Sequence, residues 1–133
     1  MIATKLRLRR ERPVSEQPSC ERTTRQVVAD AERRGATAHV LDGADLDSKR
    51  TTLDGIAAVL DFPEWAGRNL DALFDCLTDL SWLPEGEHVL IWSGFQNLAE
   101  HDPRTFNGIN AVLRDAAERP MCGRSFEAVL TKE

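Results

Sequence analysis

No stretch of the chain approaches the roughly 18 consecutive apolar residues that a membrane-spanning helix requires, so an integral membrane protein is not expected. The start, Met1-Ile2-Ala3-Thr4-Lys5-Leu6-Arg7-Leu8-Arg9-Arg10, has no apolar block behind its basic residues and does not read as a secretory signal. Cysteine is scarce. Cys20, Cys76 and Cys122 form no Cys-x-x-Cys pair, and with no leader they point to reduced thiols and a cytoplasmic location. His39, His88 and His101 are equally scattered, so no metal-ligand spacing emerges, and neither a metal nor a cofactor is expected. A P-loop, a Gly-x-Gly-x-x-Gly run and a Gly-x-Ser-x-Gly elbow are all absent. Those absences remove the usual signatures of nucleotide binding and of a serine nucleophile.

What is present suits one soluble domain. The chain has 133 residues, 41% hydrophobic and 29% charged, enough for one core but not two. The net charge of -5 conceals an uneven distribution. Residues 1–36 hold nine Lys and Arg against five Asp and Glu, a balance of +4, while residues 37–133 hold eight against seventeen, a balance of -9. An acidic body is repelled by nucleic acid and favours a basic partner, although solubility alone also explains scattered acids.

Residues 1–20 are basic and polar, with Pro13 and Pro18, and read as a disordered arm. Residues 21–36 form a helical extension: Thr24, Val27, Val28 and Ala31 recur at helical spacing, and Gly35 is a stop signal. Residues 37–133 form the main domain. Thr37 to Leu41 is a short strand closed by Asp42-Gly43. A second helix carries Leu53, Ile56, Ala57 and Leu60 on one face, with Thr51 or Thr52 as its cap. After a loop, Asn69 caps a third helix running from Leu70 to Leu80. The continuous apolar run His88 to Trp92 predicts a buried strand. A short turn surrounds Phe95, and Asp102-Pro103 starts a fourth helix, with Thr105 as a later alternative cap and Ile109, Val112, Leu113 and Ala116 inward. Gly123 then leads into a last strand, Ser125 to Thr131. Strands separated by helices predict an α/β domain: a small three-stranded parallel sheet packed with helices.

The third helix is the informative element. At 100° per residue, Leu70, Leu73, Cys76, Leu77 and Leu80 share the core arc, whereas Asp71, Asp75 and Asp79 form one row on the opposite face beside Phe74 and Thr78. Like charges one turn apart cost a few tenths of a kcal/mol per pair. The helix dipole favours Asp71 but opposes Asp79. Organised acid with an aromatic residue is the composition of an interface centre. A solvated acidic face, with Phe74 packed on the preceding loop, is the competing reading. Paired catalytic carboxylates are a weaker third. They need different environments to separate their pKa values, and two aspartates one turn apart share one.

The run Phe62-Pro63-Glu64-Trp65-Ala66-Gly67-Arg68-Asn69-Leu70-Asp71-Ala72-Leu73-Phe74-Asp75-Cys76-Leu77 closely resembles the barstar family of intracellular inhibitors of barnase-type ribonucleases. The resemblance continues more weakly through Val89-Leu90-Ile91-Trp92, Asn107-Gly108 and Gly123 to Leu130. It implies a barstar-like α/β fold and a cytoplasmic, non-enzymatic inhibitor that meets a basic ribonuclease as a 1:1 complex. It also implies that Asp75 enters the phosphate-binding pocket of the enzyme, with Asp71 on a rim cation. Trp65 and Phe74 occupy aromatic positions of the family's interface, Phe74 where Trp is usual. Gly67 and Asn69 shape the loop, Thr78 lies on the same outer face, and Glu118 matches a second acidic contact. Because fold does not fix function, a barstar-like module with a non-nuclease partner is the alternative.

Overall fold

The computed structural model describes residues 22–119 and 121–132; the arm expected over residues 1–20 lies outside them. Three parallel strands form the sheet, β1 (Thr37–Asp42), β2 (Gly86–Ser93) and β3 (Arg124–Thr131), in the order β1-β2-β3. Ala38 pairs with Val89 on one side of the central strand, and Val89 pairs with Glu127 on the other. The parallel three-stranded α/β architecture expected from the sequence is the one observed.

Strand alternation distributes β2 between two hydrophobic layers. Val89 and Ile91 point to one face, where helix α1 (Thr24–Arg33) supplies Val27 and Ala31. Leu90 and Trp92 point to the other, where they meet the larger core. Helices α2 (Lys49–Val59), α3 (Leu70–Leu77), α4 (Gln96–His101) and α5 (Pro103–Ala117) contribute Ile56, Leu77, Leu98 and Leu113 to that core, each fully buried. α1 therefore packs directly on the sheet. Its terminal Arg34 anchors it further, donating to Glu87 on β2 (3.1 and 2.8 Å) and to Glu127 on β3 (3.0 Å).

Helix ends follow local chemistry. Gly35, at φ 84°, closes α1, as its position in the sequence predicts. The Ala36 amide reaches the Ala31 carbonyl and the Gly35 amide reaches that of Glu32, which together make a Schellman motif. α2 begins earlier than expected. Its cap is Ser48, in a reciprocal capping box with Thr51, while Thr52 is buried and donates its hydroxyl to the Ser48 carbonyl. The Thr51 and Thr52 hydroxyls that suggested a cap thus belong to the first turn. α5 starts at Pro103 as expected, with Asp102 accepting from the Thr105 amide and hydroxyl. Those two donors hold the Asp102 carboxyl below its ordinary value. The expected turn around Phe95 continues into α4, a helix too short for a sequence period to reveal.

The third helix is shorter than expected. α3 ends at Leu77, and Thr78 is its C-cap. Two residues later Leu80 takes a left-handed φ of 52° and is fully buried. A left-handed conformation costs a leucine roughly 1–2 kcal/mol, which burial of its side chain, worth about 1.5–3 kcal/mol, offsets. The core draws in Leu80 at the expense of the last helical turn.

Gly43 closes the end of β1 against β2, its amide donating to the Ser93 carbonyl at 2.7 Å. A Cβ at this position would lie 2.4 Å from the Ser93 oxygen and 2.7 Å from the buried Trp92 indole nitrogen. Gly43→Ala should therefore lower stability by about 1–3 kcal/mol through overpacking. The expected readout is a lower urea midpoint with an unchanged slope.

Candidate functional site

The end of α2 and the start of α3 define the loop that carries the conspicuous residues. Leu60 caps α2, Asp61 adopts φ 59°, and the Phe62 amide returns to the Ala57 carbonyl at 2.9 Å. The Ala66 amide then closes a turn on the Pro63 carbonyl at 3.0 Å, burying Ala66. Arg68 ties the loop down. Its Nε donates to Asp54 on α2 at 2.8 Å, and a terminal nitrogen donates to the Ala66 carbonyl at 3.0 Å. Within this braced loop Trp65 is 78% exposed.

Asn69 starts α3 as expected, its side-chain oxygen accepting from the Ala72 amide at 2.8 Å. Gly67 leaves room for this cap, since a Cβ there would lie 3.2 Å from Asn69 Nδ2. With Leu73, Cys76 and Leu77 buried, the helical period turns Asp71 and Asp75 outward, and both are exposed. Among the described residues neither forms a salt bridge.

Two concavities flank α3. One is lined by Leu70, Asp71, Phe74, Asp75, Val112 and Asp115, in the seam with α5. The other is lined by Trp65, Ala66, Gly67, Asp75, Cys76 and Asp79, on the loop side. Asp75 borders both, so it forms the ridge between them. Negative potential is built into this surface, and Cys76 registers it. Burial first, then the Asp75 and Asp79 carboxylates, raise the thiol above its ordinary value, against an opposing Arg68.

The structure brings together Trp65, Gly67, Asn69, Asp71, Phe74 and Asp75 from the expected set. Phe74 is half-buried rather than protruding: it packs against the core, with the Arg119 guanidinium carbon 5.2 Å from its ring centre. Trp65 is the aromatic residue that stands out to solvent. The Thr78 hydroxyl is engaged internally, donating toward the Phe74 carbonyl at 2.9 Å and the Asp75 carbonyl at 3.2 Å. Asp79 lies beyond the helix and accepts from the Ser81 hydroxyl, so the expected three-aspartate helical row is a pair plus a turn residue. Glu118 is not brought to either concavity. It caps α5 and lines a different groove with Arg114 and Glu127. Asp115 is the α5 acid that shares the seam with Asp71 and Asp75. The signal for it was its position one turn after Val112 on the edge of the α5 apolar stripe.

Residues 36–131 match the family described as "Barstar (barnase inhibitor)". The chain belongs to the barstar family. A second similarity is to the Bacillus subtilis (strain 168) protein named "Putative ribonuclease inhibitor YrdF", 47% identical over 45 residues. That match covers 34% of this chain and half the length of the relative. The barstar-family match takes in the braced loop, both concavities and the whole sheet, but not α1. In this barstar-family chain, then, the helix that covers the second face of the sheet precedes the matched region.

Asn69→Ala should remove the cap of the acidic helix and cost about 1 kcal/mol, whereas Asn69→Asp should preserve it. Comparison of urea midpoints for the two variants checks this.

Proposed function

We propose that this chain inhibits a basic, barnase-type ribonuclease by seating α3 and its preceding loop in the active site of the enzyme, as a 1:1 complex in the cytoplasm. The supporting observation is the position of Asp75: exposed, unpaired among the described residues, and shared by both concavities beside α3. A ribonuclease binds RNA phosphate with cationic side chains. A carboxylate on a rigid helix offers those groups negative charge with no phosphodiester to cleave.

Each neighbour has a role in this reading. Asp71 and Asp115 extend the negative seam, and Trp65 supplies an exposed aromatic anchor beside it. Gly67 and Asn69 set the loop, and Phe74 supports the ridge from below. Thr78 acts through the helix end, and Glu118 contributes to the long-range field rather than to the seam. The braced loop reduces the ordering cost of association, and the uncompensated acids accelerate encounter with a basic enzyme.

The test is RNA cleavage by a barnase-type ribonuclease in the presence of this protein. Wild type should suppress cleavage stoichiometrically, with affinity falling as salt rises. Asp75→Ala should weaken the complex by about 2–5 kcal/mol, the general cost of leaving a buried interfacial charge unpaired. Asp79→Ala should have a much smaller effect. Unchanged inhibition by Asp75→Ala would refute the assigned centre, and inhibition of no such ribonuclease would favour a different partner.

A further inference from the structure

The two sheet histidines that looked unrelated in sequence meet in space. His39 on β1 and His88 on β2 lie on the same sheet face as Leu41, Leu90 and Trp92, at one end of the main core. His88 is 1% exposed and His39 half-buried. Their rings form a continuous chain of three contacts. His39 Nδ1 lies 3.2 Å from the Val59 carbonyl, His39 Nε2 lies 3.0 Å from His88 Nδ1, and His88 Nε2 lies 2.7 Å from the Pro84 carbonyl.

Counting protons shows that this chain is incomplete when both rings are neutral. Carbonyl oxygens only accept, so each outer contact needs an N–H, and the inner contact needs one more. Three protons are required, and two neutral imidazoles carry two. The distances indicate where the shortage falls. The shortest contact places the His88 proton on Nε2, donating to Pro84, and leaves His88 Nδ1 as an acceptor. His39 then donates from Nε2, and its bare Nδ1 faces the Val59 carbonyl across the longest contact.

We propose that His39 and His88 form a buried one-proton site. Acidification adds a proton to His39 Nδ1 and completes the chain, at the cost of placing a charge on a half-buried ring. The first proton needs no rearrangement, because its acceptor is already in place. The site is limited to that one proton because His88 Nδ1 is, among the described residues, the acceptor that His39 Nε2 uses. Other charged groups on the surrounding elements are engaged or exposed. Arg124 donates to the Leu83 and Ser81 carbonyls, Asp54 pairs with Arg68 and Arg50, Glu87 and Glu127 pair with Arg34, and Asp61 and Glu85 are exposed. Among the described residues none of these touches either ring.

Burial, and then the field of His88, lower the His39 pKa from its ordinary 6.5, with the Val59 carbonyl opposing. The unfolded chain therefore takes the proton first as pH falls. Stability is complete above that ordinary value and declines as pH drops below it. Val59 is the last residue of α2, and the Leu60 carbonyl beside it accepts from the Trp82 indole at 2.9 Å. The site thus lies at the base of the loop that carries Trp65.

Ring-nitrogen NMR of the full-length protein between pH 7.5 and pH 4.5 tests the site. At pH 7.5 both His39 and His88 should carry their proton on Nε2. On acidification His39 Nδ1 should gain a proton while the Leu60 and Phe62 amides stay in place. In parallel, the unfolding constant of wild type should rise by up to about tenfold per pH unit below the ordinary histidine value, one proton's worth. His39→Asn, which keeps a donor for Val59 without a titrating ring, should lose that dependence. A His39 proton on Nδ1 at pH 7.5 or an unchanged slope in His39→Asn would each overturn the proposal. The NMR titration uses wild type, so the proposal stays testable even if the variant fails to fold.

Discussion

Burial of β2 on both faces is the constraint on which the rest of the molecule depends. His88, Val89, Leu90, Ile91 and Trp92 are all buried, and pleating sends them alternately to two layers. Parallel neighbours on each side demand crossover connections, which supply the helices that cover those layers. α1 closes the smaller layer through Val27 and Ala31. α2, α3, α4 and α5 close the larger one. Once Leu73 and Leu77 are committed to that larger layer, the helical period leaves Asp71 and Asp75 only the solvent side.

The acidic face therefore sits on a rigid support that it does little to stabilise. Asp71 and Asp75 repel each other one turn apart, and the fold tolerates them because each such pair costs only tenths of a kcal/mol. Leu80 shows the same balance at the other end of the helix, where a left-handed backbone is held by a buried side chain. Stability comes from the apolar faces, and the charged face is left to solvent. The two faces share a helix of only eight residues.

Local chemistry was largely readable from the chain. Gly35 and Asp102-Pro103 mark helix ends through their own backbone preferences, and Asn69 caps α3 as its residue type suggests. The run from Phe62 to Leu77 carried the family resemblance, and the continuous apolar stretch from Val89 to Trp92 carried the central strand. Other features were not readable because they depend on partners distant in sequence. Ser48 and Thr51 both have capping chemistry, and only the backbone shows which stands outside the helix. Phe74 reads equally as an exposed aromatic or as one packed on the preceding loop, and only the fold sets it against the core with Arg119, from the end of α5, over its ring. Asp115 and Glu118 are equally acidic and three residues apart, yet only Asp115 faces the α3 seam.

The sequence by itself determined the strand order, every helix but the short α4, the parallel sheet, the Asp71–Asp75 pair and the family, since periodicity, capping residues and a long motif are local properties. Tertiary structure decided the rest. It ended α3 early to bury Leu80, and it placed Asp75 on the border of two concavities. It packed α1 on the second face of the sheet and set His39 against His88 across neighbouring strands. Each of these depends on close packing between segments far apart in the chain, where tenths of an ångström separate a contact from a clash, and no local pattern encodes such distances.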